Sequence, residues 1–405
     1  MGEVMEKIRE NIWSFIDKYK IWIFFVIISV FSICLRLQLY DYSFGDYDMF
    51  LKPWFNELKE GGGLFALGKG IGNYSAPYMT LLALLTYLPV SSLISIKTVS
   101  VIFDFICAIA VAKIALYILK DNKHKEKIAL LLYSVTLFLP TVFLNSSCWG
   151  QADSIYTAFI LISLLFLIKQ KYVRSFIFLG IAFSFKLQFI FILPLYILIY
   201  ISERKYSIFH FLIPIATCFV MCIPSLVFGN TMENCINVYI GQVGTYSQYI
   251  TLNFPNFYSI FFGGSSHLVD TPNEFMPTIG IFITMFIFII IAFLVLYKKV
   301  KFDAKAIIEF GLWSVMICTF LLPHMHDRYL FMGDVLAILY LLFNRKKFYI
   351  PLMVQLVSVY GYMHMLFSSF ALDMQVMGIV YLVLIAIYSK DMYENYFLEK
   401  SIKSE

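Results

Sequence analysis

The chain has 405 residues, of which 60% are apolar or aromatic and only 14% charged, with a formal net charge of +5. Soluble proteins carry roughly 45–50% apolar and about 25% charged residues, so no water-soluble core hides this much apolar surface. The composition excludes a soluble enzyme and a cytosolic nucleic-acid binder, and it predicts an all-α polytopic membrane protein with about 12 transmembrane helices of about 20 residues each.

The N-terminal segment mixes Lys7, Arg9, Lys18 and Lys20 with acids and runs straight into an apolar stretch, 21–40. No small-residue cleavage site follows, so it reads as an anchor, not a removed signal. A polar segment, 41–74, comes next. The run 76–90 is broken by Pro77 and Pro89 and has no basic end. It reads as a half-helix or juxtamembrane helix, tolerated at depth only where protein covers its interrupted backbone.

Further spans are predicted at 97–119, 128–144, 152–168, 174–185, 187–201, 206–228, 277–297, 306–322, 328–343, 349–369 and 371–389. Placing the basic loops in the cytoplasm puts both termini inside, along with most of the 31 Lys and Arg. Four polar stretches then share the outer side: 41–75, 145–153, 229–276 and 323–328. Lys186 and Gln188 sit at the outer turn between two short spans. There is no internal repeat and no low-complexity linker, so 1–405 reads as one domain. The cysteines lie mostly in apolar runs (Cys34, Cys107, Cys218, Cys222, Cys318) with no CxxC pair, and read as small core residues.

Three polar constellations could carry chemistry. The first is Gly45-Asp46-Tyr47-Asp48, followed by Trp54. Carboxylates just beyond a span, with aromatics after them, suit base catalysis on a substrate at the membrane surface; the alternative is a pair of solvated loop acids. The second is Asn145 to Asp153. Trp149 and Gln151 there could contact a sugar, or the segment is a polar turn in which Asp153 caps a helix. The third is His324-Met325-His326-Asp327-Arg328. Ionisable groups at a membrane boundary are costly and point to function. The two histidines, at i,i+2, lack the i,i+4 spacing of the helical zinc pair, so anion recognition by Arg328 and a histidine is the better reading than metal binding. Lys186 is either a snorkelling lysine or a second phosphate contact. Asp104, inside a span, needs a partner; Lys97, Arg36 and Lys186 are the choices, and structural pairing is favoured over catalysis. His210 and His364 read as core or interface residues.

In this order and on one side, the three constellations resemble the motifs of the GT-C superfamily of multispanning glycosyltransferases, above all the bacterial group similar to the GPI-anchor mannosyltransferases. Gly45-Asp46-Tyr47-Asp48 with Trp54 is similar to that family's opening motif, Trp149-Gly150-Gln151-Ala152-Asp153 to its Trp-Gly-Gln-x-Asp turn, and His326-Asp327-Arg328 to its late His-Glu-basic element, with Asp in place of Glu.

The resemblance implies a GT-C-like fold and an inverting transfer on the outer face. The donor would be a polyprenyl-phosphate sugar, and the acceptor a lipid-linked or polymer glycan. It makes Asp46 the base, with Asp48 beside it. His324, His326, Arg328 and Lys186 would meet the donor phosphate, and Trp54, Trp149, Gln151, Asp153 and Gln188 the sugar or acceptor. The loop 229–276, with Tyr246, Tyr249, Asn253 and Asn256, would help shape the acceptor side, or is an ordinary outer loop with no site. No metal or other cofactor is expected, although Asp46-x-Asp48 leaves a divalent cation conceivable. Membrane lipids are the other partners, nucleic acid is not, and the expected location is a bacterial plasma membrane. The rival class is a transporter or flippase of lipid-linked sugars, whose usual inverted repeats are not visible.

Overall fold

A computed structural model describes residues 2–244, 248–267, 275–367 and 372–398. Helices come in the order α1 (Gly2–Leu37), α2 (Lys52–Glu60), α3 (Ala76–Leu85), α4 (Ser92–Ile118), α5 (Lys125–Phe138), α6 (Pro140–Phe143), α7 (Asp153–Ile168), α8 (Tyr172–Phe185), α9 (Leu193–Glu203), α10 (Leu212–Val227) and α11 (Met232–Gly244). After these come α12 (Ser259–Phe262), α13 (Met276–Tyr297), α14 (Ala304–Leu321), α15 (Phe331–Tyr340), α16 (Tyr349–Phe367) and α17 (Met374–Tyr396). The strands are β1 (Tyr249–Leu252), β2 (Ser265–His267) and β3 (Met325–His326), in spatial order β2-β1-β3.

Among the described residues, seven helices are long and apolar enough to cross a membrane, or eight when the bent pair 125–138 and 140–148 counts as one. That is fewer than the expected 12. The other expected spans are helices too, at 153–168, 172–185, 187–203 and 331–340, but they are short. The shortest, α15, covers about 15 Å at 1.5 Å per residue, about half of a ~30 Å hydrocarbon core. The expected half-helix at 76–90 is the short helix α3.

Burial explains the difference. Every residue of α15 is buried, as is every residue of α14 from Ala306 to Leu321. A helix that is apolar all round and covered all round is a core element, which need not span lipid by itself. On α1 and α13 the large side chains face outward instead: Phe24, Phe31, Phe282, Phe286 and Phe293 are all more than half exposed. Such surfaces suit lipid, not water, and the architecture is that of a multi-pass helical membrane protein.

Buried charges tie the helices at depth. Arg36 donates from Nε and Nη2 to Asp104 Oδ2 at 3.1 and 2.9 Å, and Ser146 Oγ donates to the same oxygen at 2.5 Å. Of the three partners open to Asp104, Arg36 is the one used. Lys97 Nζ instead donates to the carbonyls of Leu39, Tyr40 and Tyr42 at 2.6–3.0 Å, closing off the chain where α1 ends. Of the cysteines expected in the core, Cys107, Cys218, Cys222 and Cys318 are buried and Cys34 is exposed; all of them are free thiols.

Two local irregularities prepare the site. Pro140 forces Leu139 out of the helical region (φ −59°, ψ 126°), so the chain bends by 53° between α5 and the following segment. That segment ends in a π-helical turn, Leu144–Cys148, and a second π-turn, Tyr47–Leu51, directly follows Asp46. Insertions of this kind rotate the side chains around them and recur at functional sites.

Candidate functional site

The polar stretches expected to share a side meet at one end of the helices. Gly150, at φ +73°, supplies the left-handed turn that reverses the chain after Trp149. Gln151 then reaches Asp46, its Nε2 donating to Oδ2 at 2.8 Å. From the third stretch, Arg328 approaches the same oxygen, with Nη1 at 3.6 Å. Its Nε lies 3.6 Å from Asp153 Oδ2 and its Nη1 3.5 Å from Asp327 Oδ1. These are ion pairs, not hydrogen bonds: the mostly buried guanidinium faces three carboxylates, yet its Nε has no hydrogen-bond partner among the described residues.

Asp153 is fully buried and held from two other sides. Lys186 Nζ donates to Oδ1 at 2.5 Å and Asn145 Nδ2 to Oδ2 at 2.9 Å. It makes no cap on α7, where the preceding Ala152 holds the capping position. Asn145 also donates to Tyr362 Oη at 2.8 Å, tying the cluster to α16. Lys186 is thus engaged with a carboxylate and does not line the open space.

That space is a cavity of about 140 Å³, bordered by Asp46, Trp54, Tyr74, Tyr78, Gln151 and Arg328. The sequence points to Asp46, Trp54, Gln151 and Arg328. It does not point to Tyr74 and Tyr78, since isolated aromatics in or beside an apolar run carry no signal in a single sequence.

Several expected residues lie elsewhere. Asp48 is half exposed and points to Lys52, 4.0 Å away, leaving Asp46 the only carboxylate of its pair at the cavity. The two therefore form no Asp-x-Asp pair facing a common ligand, because on a helical turn residues two apart diverge. Trp149 is 1% exposed and stands under Arg328, with the guanidinium 5.0 Å from its ring centre. It is a platform for the arginine, with no face left for a sugar. His324, just before β3, is bound to β1: its Nδ1 is 2.5 Å from the carbonyl oxygen of Tyr249 and its N–H donates to Ile250 O. Gln188 does not border the cavity, and its Oε1 is buried without a hydrogen bond among the described residues.

His326 is buried beside Tyr329. Burial, reinforced by the positive charges of Arg328 and Lys186, pushes its imidazole well below the usual range, so it is neutral at physiological pH. Burial also pushes the Asp327 carboxyl up to about 7, against the pull of Arg328. Thr251 and Leu252 of β1 pair in parallel with Met325 and His326 of β3, so the loop after α11 braces this strand. Asn253 and Asn256 follow β1 and Tyr249 opens it, none of them at the cavity; Tyr246 lies outside the described residues.

Among the described residues, no group of three or more His, Cys, Asp or Glu is placed to hold a metal ion. The fold and site define a class, a multi-pass helical membrane protein with a charged cluster of two cations and three carboxylates at a small cavity that aromatic side chains also line. No family model and no curated protein matches the chain.

Proposed function

We propose that the protein is a membrane glycosyltransferase of GT-C type, moving a sugar from a polyprenyl-phosphate donor to a glycan acceptor with inversion at the anomeric carbon. The observation that carries the reading is the convergence, on one small cavity, of a carboxylate from the first polar stretch, an amide from the second and a guanidinium with an unused donor from the third.

The chemistry follows from these positions. Asp46 accepts the proton of the acceptor hydroxyl as that oxygen bonds to C1 of the sugar. The C1–O bond to the lipid phosphate breaks on the opposite face, and its electron pair leaves with the phosphate. Arg328, drawn away from carboxylates that hold it only at 3.5–3.6 Å, meets the growing negative charge. His326, being neutral, serves as a hydrogen-bonding group and supplies no charge. Lys186, Asp153 and Trp149 are positioning residues that hold Arg328 in place, and Trp54 with Tyr74 offers aromatic surface to the sugar.

In this reading the long and short apolar helices together make about 12 crossings, with the cavity facing the exterior of a bacterial plasma membrane. The test is purified protein in lipid vesicles given a radiolabelled polyprenyl-phosphate sugar and an acceptor extract. Label appearing in a glycan product supports transfer. Label that only changes leaflet identifies a flippase and overturns the reading.

A further inference from the structure

A second, larger cleft of about 490 Å³ adjoins the cavity, and Asn73 and Tyr74 border both. Its volume falls within the ~300–1,000 Å³ of typical small-molecule sites. One wall is the chain from Lys69 to Tyr74. The tight turn at Gly72 (φ +71°), where a Cβ would stand 2.9 Å from Trp54, presses this wall against the Asp46 side. The other wall is α11, whose Asn234, Asn237, Val238 and Gly241 fall at i, i+3, i+4 and i+7 on a single face.

The lining has a definite chemistry. Asn73, Asn234 and Asn237 bring amides, each both donor and acceptor. The side chains of Asn234 and Asn237 are exposed and spend no hydrogen bond on the described protein. Among the described residues no carboxylate lines the cleft, and their one charge there, Lys69, is on the wall away from α11. Leu58, Leu67 and Met79 supply an apolar floor. Amides that give and take hydrogen bonds beside apolar surface match the hydroxyls and C–H faces of an uncharged sugar. A phosphate would call for clustered cations, and a lipid tail would find the amides a desolvation cost.

We infer that this cleft binds the non-reacting part of a neutral oligosaccharide acceptor and presents its terminal hydroxyl to Asp46 across Asn73 and Tyr74. The inference rests on the transferase reading for the use made of the bound glycan, and on the cleft alone for its binding. Gly241 provides a probe, because among the described residues nothing lies within 4 Å of where its Cβ would stand. Gly241→Phe therefore fills the open end of the cleft, and a helix tolerates phenylalanine better than glycine.

The experiment is retention of the full chain, in lipid nanodiscs, on an array of neutral gluco-, galacto- and manno-configured oligosaccharides alongside phosphorylated and uronic-acid glycans. Wild type should be retained on at least one neutral class. Asn234→Leu, Asn237→Leu and Gly241→Phe should each weaken that retention at least tenfold, whereas Glu233→Gln, on α11 but outside the cleft, should not. Retention on acidic glycans alone, on no glycan, or unchanged in all three cleft variants overturns the assignment. If wild type transfers sugar while the cleft variants bind and react normally, only the cleft assignment fails. If the variants lose glycan retention but wild type transfers nothing from a polyprenyl-phosphate sugar, only the transferase reading fails.

Discussion

The guanidinium of Arg328 rests 5.0 Å from the ring centre of Trp149, on an indole that is itself wedged edge-on against Tyr362 at 5.6 Å. A cation over a desolvated aromatic face is stabilised by ~2 kcal/mol or more. This contact fixes the arginine where its carboxylate partners alone would hold it loosely. Trp149→Phe keeps a ring face and should retain most donor affinity. Trp149→Leu should raise the donor KM by on the order of tenfold. Steady-state kinetics with a polyprenyl-phosphate sugar decide it, and a leucine variant with wild-type KM would show that Trp149 does not position Arg328.

The two carboxylates of the first polar stretch should separate cleanly. Asp46→Asn keeps the volume and an oxygen for Gln151 but cannot take a proton. Turnover should drop ~10²–10⁴-fold, the usual scale for loss of a general base, with donor binding retained. Asp48→Asn should stay within about twofold, since Asp48 faces Lys52 at the surface and does not border the cavity. The opposite ranking would move the base to Asp48.

Asp327 gives a pH signature. Its carboxyl is held up to about 7 in the folded protein, chiefly by burial, against about 3.9 for an unperturbed aspartate. Between those values the folded state binds more protons than the unfolded one, so this group's contribution to stability is full below about 4 and is lost as pH rises through about 7. Thermal unfolding of the detergent-solubilised protein between pH 5 and 8 should show wild type losing stability faster than Asp327→Asn as pH increases. Parallel slopes for the two proteins would mean that Asp327 is ionised throughout.

Much of the site was readable because polar groups in a 60% apolar chain need a reason to be there, and Asp46, Gln151, Asp153 and Arg328 do converge. What sequence could not supply was direction. Trp149 reads as a sugar platform and is instead sealed under Arg328. His324 reads as a phosphate ligand and is instead bound to the carbonyl of Tyr249 through a strand pairing that no local pattern announces. Asp48 swings away because the chain enters a π-turn at Tyr47, where an extended segment would have kept both acids on one face. That only seven or eight of the 12 expected spans qualify by length has a related reason. Apolar content reports burial, and the short α15 is buried in protein along its whole length, so its composition does not say whether lipid lies beyond.

Orientation is open to direct measurement. Asn56, on α2, and Gln248, just before β1, are exposed at the cavity end, whereas Lys123 lies exposed in the basic turn between α4 and α5. Cysteines placed at 56 and 248 should react in intact cells with an impermeant maleimide, and one at 123 only after lysis. Labelling at 123 in intact cells would invert the threading and put the cavity inside.

The Arg36–Asp104 pair carries the last expectation. Both side chains are almost fully buried, at 1% and 0% exposure, and they join α1 to α4. Removing one partner strands the other charge. Asp104→Ala should therefore cost on the order of 3–5 kcal/mol, whereas replacing both groups with apolar side chains of similar size is often nearly neutral. The double variant Arg36→Met with Asp104→Leu should recover most of the loss, because Ser146 and Ser32 are hydroxyls that can turn to nearby carbonyls. Ser146 Oγ already lies 3.2 Å from Val142 O. Thermal unfolding of the three proteins in one detergent checks this ranking. If Asp104→Ala melts with wild type, Arg36 has found other acceptors. The main-chain carbonyls of Leu137 and Ser32, to which it already donates at 3.0 and 3.4 Å, would then be sufficient to satisfy it.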